Sequence, residues 1–293
     1  MKFDSVTADI VRQLEEGVKP WKQAWATKGS LIPFNASTSE TYRGVNILFL
    51  WSAVMKRGYP TMGFMGFKQA HSLGAHVRKG EKATQIVYFN HLVDEETEKK
   101  IPYSRLLNVF NVAQLENLPP EMVTEPQPIP ESERMSAFNE ILNASEIPYR
   151  LGCPKPCYIP SVDRVEMPNF ESFTSPNAQV KEADWISTFS HELLHATSHP
   201  KRLDRKFDGE DAYGVEECCV ELGAAFMCAA LGVSYNDAQS PAYIGGWLKV
   251  IKRDARALFA IASQASKAAD WLLERPHVVT AATPEAERQL QLA

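Results

Sequence analysis

Residues 119–133 read PPEMVTEPQPIPESE, and no other stretch restricts the fold as strongly. Each of its five prolines fixes φ and lacks an N–H, so the stretch can hold neither a lasting helix nor an inner strand. A semi-extended linker follows, with a long surface loop inside one domain as the alternative. The 293-residue chain is then expected to form a domain over 1–118, a linker over 119–133 and a second domain over 134–293. Charge divides at the same place. Residues 1–118 hold 15 Lys and Arg against 11 Asp and Glu, net +4, whereas 119–293 hold 16 against 25, net −9. A mildly basic front and an acidic back suit different partners.

No run of about 18 apolar residues is present, so no membrane partner is expected. The N-terminal Met1-Lys2-Phe3-Asp4 lacks the basic-then-apolar pattern of a secretory signal. Five cysteines, an odd number without such a signal, point to reduced thiols and a cytoplasmic protein.

The front half opens with apolar residues at helical spacing (Val6, Ile10, Val11, Leu14) and a stop at Gly17. Val45 to Met55 is a second helix ending near Gly58, and Phe67 to Leu73 a short third. Ile86 to Phe89 and Leu106 to Phe110 read as strands around an acidic loop, Asp94 to Lys100. In the back half, helices are expected over Ser136–Ala144, Lys181–Ser198 and Val215–Leu231, with two more over Ala242–Leu273 broken near Arg253. Cys157–Ile159 and Arg164–Met167 read as an edge strand or hairpin beside Pro160 and Pro168. The expected fold class is α+β: a small α+β front domain, then a mainly helical domain with a short edge sheet.

The chemistry centres on His191-Glu192-Leu193-Leu194-His195. On a helix, residues at i and i+4 share a face, so His191 and His195 can take two corners of a Zn²⁺ tetrahedron. Glu192 lies about 100° round the helix, where a carboxylate can serve as general base rather than ligand. The alternative is a chance match on an amphipathic helix. A third ligand is sought in Glu217 and Glu221, again at i and i+4 and flanked by Leu222, Gly223, Ala224, Ala225 and Phe226. This arrangement, 22 residues after His195, is similar to the glutamate-zincin pattern of thermolysin-type enzymes. The similarity implies Glu217 as ligand and Glu221 as the acceptor that orients a ligating histidine; the reverse assignment stays open. His199 sits one turn past His195 and, beside Pro200, is read as a helix-end residue. Cys153 and Cys157 could form half a zinc knuckle, but no matched second pair follows. The cofactor expected is Zn²⁺, with Mn²⁺ as the alternative. Such an ion acidifies water toward pKa ~7; Glu192 would take that proton and pass it to a leaving amine. Tyr243 and Tyr213 are candidate donors to an oxyanion.

The front half combines aromatics with basic and amide residues. Pro20-Trp21-Lys22-Gln23-Ala24-Trp25 places two indoles four apart, and Asn35, Tyr42, Arg43 and Asn46 follow. A basic turn with Arg78, Lys79 and Lys82 leads into an aromatic strand. Stacking platforms beside a cationic groove suit single-stranded DNA. Otherwise Trp21 and Trp25 are core residues and the turn is ordinary surface.

Three strings together resemble the N-terminal domain of the ArdC antirestriction family: PWxxxW from Pro20, PxNxxTxxxYRGxN from Pro33, and FxQAxxLGAxVRKGEK from Phe67. That domain also stands at the front of TraC-type plasmid primases. HELxHxTxHPxRLxR from His191, EExxxELGAAF from Glu216 and YIxxWLKVI from Tyr243 are similar to the family's C-terminal zincin domain. The resemblance spans roughly Val6 to Leu273; Cys218 and Cys219 stand where aliphatic residues are expected. It implies a protein of conjugative plasmids or other mobile elements that protects incoming DNA from host restriction. The front domain would bind single-stranded DNA. The back domain would be metallopeptidase-like, acting on an unidentified protein substrate or restriction component. Two other readings stay open: a DNA-binding module with a structural or inactive metal site, and a DNA-dependent repair protease.

Overall fold

The computed structural model describes residues 4–22, 30–93, 100–123, 125–209, 211–235 and 243–274. Helix α1 (Asp4–Glu15) buries Ile10 and Leu14, as their spacing requires. Strand β1 (Phe34–Asn35) precedes helix α2 (Val45–Arg57), which is apolar on nearly every side and correspondingly buried from Val45 to Val54. Gly58 closes α2 at φ 64°, a left-handed conformation that glycine adopts without a Cβ penalty. Strand β2 (Gly63–Gly66), helix α3 (Phe67–Ser72) and strands β3 (His76–Val77), β4 (Thr84–Val93), β5 (Lys100–Asn111) and β6 (Leu115–Glu116) complete this half. The expected acidic loop at 94–99 lies outside the described residues.

The main sheet runs β1-β2-β5-β4, with β1 parallel to β2 and the other neighbours antiparallel. Helix α2 covers β4. Asn46 locks that packing: its amide donates to the Val87 carbonyl and accepts the Val87 N–H, both at 2.8 Å. A buried polar knot fixes the basic turn. Gln114 accepts the Asn111 N–H at 2.8 Å and donates to Glu81 at 2.8 Å and to the Lys82 carbonyl at 3.0 Å. The unit made by Met1–Pro128 also includes Ile251–Phe259. There Phe259 sets its ring edge-on to Phe49 at 6.1 Å and to Phe89 at 6.3 Å.

The second unit comprises Ile129–Val250 and Ala260–Ala293. It contains helix α4 (Arg134–Ser145), strands β7 (Tyr149–Leu151), β8 (Cys157–Ile159) and β9 (Arg164–Met167), and helices α5 (Ala178–Ala196) and α6 (Ala212–Ala230). Helix α7 (Tyr243–Arg253) begins in this unit and helix α8 (Arg256–Leu273) ends in it. The chain breaks between them at Asp254, whose carboxylate accepts the Arg256 N–H at 2.9 Å. The sheet order is β7-β9-β8, with β7 parallel and β8 antiparallel to β9. Val165 and Met167 are buried while their alternate neighbours are not. An aromatic cluster of Phe138, Trp185 and Phe189 carries α4 on α5, with ring centroids 5.2–5.7 Å apart.

Asn177 caps the start of α5 by accepting the Val180 N–H at 2.9 Å. The helix ends at Ala196, two residues short of the expected Ser198. There the hydroxyls of Thr197 and Ser198 bond back to the carbonyls of Leu194 and His195 at 2.6 and 2.7 Å. Helices α5 and α6 approach closely at Gly223: a Cβ there would lie 2.8 Å from Leu194 Cδ1 and 3.3 Å from the Ala265 carbonyl. The small residues after Glu221 thus permit the close approach their sizes suggest.

The loop after α5 is tied to the β8–β9 turn by Asp163. Its carboxylate pairs with Arg202, accepts the Tyr158 hydroxyl at 2.9 Å and faces His199 Nδ1 at 3.6 Å. Arg202 in turn donates to the Ala196 carbonyl at 2.6 Å. Burial acts to raise the Asp163 pKa, but the bonds from Arg202 and Tyr158 outweigh it and hold the carboxyl below its ordinary value. A depressed folded-state pKa stabilises above the unfolded value and loses that contribution as pH falls through the folded one. Asp163→Asn should therefore cost about 2 kcal/mol at neutral pH, between exposed and fully buried pairs. The gap to wild type should close below the carboxylate range. Asparagine also tolerates the left-handed backbone at φ 49°, so urea unfolding over a series of falling pH from 7 reads the charge. A gap that does not narrow once pH falls below the ordinary carboxylate value would contradict this account.

Candidate metal centre

Helices α5 and α6 bring His191, His195 and Glu217 to one point, with one ligand atom from each within 4.8 Å of the others. His191 Nε2 lies 3.5 Å from Glu217 Oε2, and His195 Nε2 lies 3.4 Å from Glu217 Oε1. Glu217 thus turns one carboxylate oxygen toward each imidazole. Two imidazoles and a carboxylate also match the donor set of metallopeptidase zinc. Among the described residues no fourth metal-ligating side chain joins the group.

The electrostatics agree with a cation site. Burial works against charge on His195, but the Glu216 and Glu217 carboxylates prevail and raise its pKa to about 9. Burial acts to raise the Glu217 carboxyl, and bonds from His191 and His195 hold it well below the usual range. Glu192 is buried on α5 beside His191.

On the Nδ1 side of His195 the carboxylate is Glu216, with Oε1 at 3.7 Å. Glu221, the expected histidine orienter, is 2% exposed and accepts the Trp247 indole N–H at 2.9 Å. Glu216 was missed because in sequence it is one more acid on an acidic helix; its place in the string EExxxELGAAF was the available signal. Arg205 was missed likewise. It comes from the loop between α5 and α6 and forks onto Glu216 at 2.5 and 3.0 Å. Tyr213 is 71% exposed at the start of α6 and near enough to Glu217 to help lower that carboxyl's pKa. Tyr243 is the first residue of α7, and its side chain lies outside the described residues. Cys157 is an exposed thiol and Cys153 a buried one, and neither belongs to the three-ligand group.

The front-half expectations need more correction. Trp21 is 2% exposed, so its faces belong to the core and offer no platform to a base. Trp25 lies outside the described residues. Asn46 spends both amide atoms on Val87. Asn35 accepts from the Ser37 N–H and hydroxyl at 3.0 and 2.9 Å, which makes it a turn residue. Tyr42 donates to the Phe64 carbonyl at 3.5 Å, and burial pushes its pKa far up. Arg43, Arg78, Lys79 and Lys82 are exposed as expected, although Arg78 also donates to the Ala113 carbonyl. The exposed aromatics are others: Phe67 at 59%, Phe89 at 59% and Tyr88 at 37%. Phe67 stacks parallel to His71 at 6.4 Å, His71 adjoins His76 at 6.0 Å, and Arg105 lies 5.0 Å over the Tyr88 ring.

This is a zincin-like domain that follows an α+β unit along the chain, and the comparisons with known proteins match both parts. Residues 3–111 match the family described as the N-terminal domain of anti-restriction factor ArdC, and residues 136–264 match the zincin-like metallopeptidase family. The protein "Uncharacterized protein y4eC" of Sinorhizobium fredii is 34% identical over 92% of this chain and 91% of its own length. The DNA primase TraC of Escherichia coli is 31% identical over 92% of this chain, which spans 27% of TraC. The metal-free crystal structure of antirestriction protein ArdC from plasmid R388 is 34% identical, with a TM-score of 0.80, covering 94% of this chain and 98% of that one. Its Mn(II)-bound structure is 32% identical, with a TM-score of 0.78, covering 94% and 97%. The chain belongs to the ArdC antirestriction family.

Proposed function

We propose that this protein shields DNA entering a cell on a mobile element from restriction, binding it as a single strand and hydrolysing peptide bonds at a metal centre. The observation that carries the peptidase half is the convergence of His191, His195 and Glu217, one ligand atom from each within 4.8 Å of the others, beside a buried Glu192. These three residues would hold the metal. Two imidazoles and a carboxylate are the donor set of metallopeptidase zinc, and manganese is the alternative because R388 ArdC has a Mn(II)-bound form. When bound, the ion supplies Lewis-acid polarisation and an acidified water. Glu192 takes the proton and delivers it to the leaving nitrogen. Tyr213, exposed and near Glu217, is the hydroxyl that would donate to a developing oxyanion. Action in the cytoplasm follows from the DNA substrate, and no helix among the described residues is long and apolar enough to cross a membrane.

For the DNA half, the exposed rings replace Trp21. Phe67 with His71, and Tyr88 with Arg105, give bases flat faces, and Arg43, Arg78, Lys79 and Lys82 supply positive charge. Phe67→Ala should weaken binding to a labelled single strand by about 5–150-fold, the equivalent of 1–3 kcal/mol per stacked base. Wild-type affinity should fall steeply as salt rises. Fluorescence anisotropy across a salt series tests both, and salt-independent or absent binding would refute the DNA half. The peptidase half is tested by metal analysis of purified protein together with cleavage of denatured protein substrates, with and without single strands. Protein without stoichiometric metal would end it.

A further inference from the structure

We infer that Glu216, fixed by Arg205, positions His195 for the metal by accepting the proton on Nδ1; the inference rests on the metal reading above. His195 stands between two carboxylates, Glu217 at 3.4 Å from Nε2 and Glu216 at 3.7 Å from Nδ1. An imidazole that ligates through Nε2 must carry its proton on Nδ1, and the acceptor facing Nδ1 fixes both tautomer and ring orientation. Glu216 is the carboxylate on that side. Its 3.7 Å separation is an ion-pair distance, and a shift of under 1 Å makes it a hydrogen bond.

What holds Glu216 there is specific. Arg205 grips both its oxygens, Nη2 to Oε1 at 2.5 Å and Nε to Oε2 at 3.0 Å. The remaining guanidinium bonds go to the end of α5: Nη1 to the Thr197 hydroxyl at 2.8 Å and Nη2 to the Leu194 carbonyl at 3.0 Å. Leu194 precedes His195 on α5, and Thr197 is the residue that closes that helix. The Arg205 side chain is 2% exposed, so the guanidinium end of the fork is shielded from water. The chain Leu194/Thr197–Arg205–Glu216–His195 is therefore closed on itself. It fixes the carboxylate relative to the backbone that bears the ligand. Glu216 is a positioning residue: it touches neither metal nor substrate.

The simpler role, a clamp between α5 and α6, predicts lower stability with unchanged metal affinity in whatever remains folded. Zinc affinity, measured by competition with a chromophoric chelator, separates the two roles. Glu216→Gln should weaken zinc binding by about 10–100-fold, the effect usual for a partner behind a metal ligand. Glu216→Asp keeps the carboxylate and should recover much of that loss. In the imidazole ¹⁵N spectrum of zinc-loaded wild type, the His195 Nδ1 proton should be slow to exchange, and in Glu216→Gln it should exchange faster. If Glu216→Gln does not fold, Arg205→Lys takes its place, because lysine keeps the charge without the fork; at least tenfold weaker zinc binding is then expected. A folded variant that binds zinc within twofold of wild type overturns the inference and leaves the metal reading intact. Wild type that binds no zinc overturns the metal reading, and the inference with it.

Discussion

Glu192→Gln is expected to keep the metal and lose about 10²–10⁴-fold of peptide hydrolysis, the usual contribution of a general base. Three observations support that expectation. Glu192 is not among the three residues whose ligand atoms converge, so its loss leaves the coordinating set complete. It follows His191 directly on α5, which turns its side chain away from the histidine face yet keeps it beside the site. It is also buried, so bulk water cannot stand in easily as base. Glutamine matches glutamate in size and can still accept a hydrogen bond, so packing on α5 should be undisturbed and only the proton acceptor is removed. Initial rates on a denatured protein substrate, with metal content from the same preparations, check both halves. Hydrolysis at the wild-type rate would remove Glu192 from the mechanism, and a parallel loss of metal would make it part of the metal site. The same variant in a plasmid-transfer assay shows what restriction protection needs. Full protection without hydrolysis would assign protection to DNA binding alone.

What could be read from sequence was what is local. The histidines at i and i+4 need only one helix to meet, and α5 supplies it with a short correction at Thr197. Gly223, Ala224 and Ala225 foretold a close helix pair because size alone decides that contact. The Glu216 and Arg205 pairing joins residues 11 apart across a loop, and nothing in either residue's own neighbourhood announces it. Trp21 shows the converse limit. An indole serves equally as core or platform, and only the packing around it decided that it is 2% exposed. Asn46 likewise looked like a polar contact for DNA until the partner strand was in place. The strands β1, β2, β3, β6 and β7 span two to four residues each, too few for an alternation to register.

Glu217→Ala is expected to abolish metal-dependent stabilisation almost entirely. Among the described residues Glu217 is the one carboxylate that reaches both histidines, one oxygen to each, and it is 3% exposed. Without it two imidazoles remain, and affinity should fall by about 10³-fold, more than the 10–100-fold lost when a supporting partner is removed. At a free metal concentration near 1,000 times the wild-type Kd, wild type gains about 4.1 kcal/mol from binding. The variant, with metal near its own Kd, gains only about 0.4 kcal/mol from the same relation. Thermal unfolding with and without a chelator reads this difference directly: a large downward shift for wild type and almost none for Glu217→Ala. Comparing each protein with its own metal-free form cancels the packing defect that alanine leaves in α6. Glu221→Ala is the necessary contrast. It removes the acceptor of the Trp247 indole N–H but no member of the converging group, so the metal-dependent shift should survive on a less stable protein. If instead Glu221→Ala loses the shift and Glu217→Ala keeps it, the two acids exchange roles. The pair of helices would then have to rotate from the arrangement in which Glu217 lies within 3.5 Å of both imidazoles.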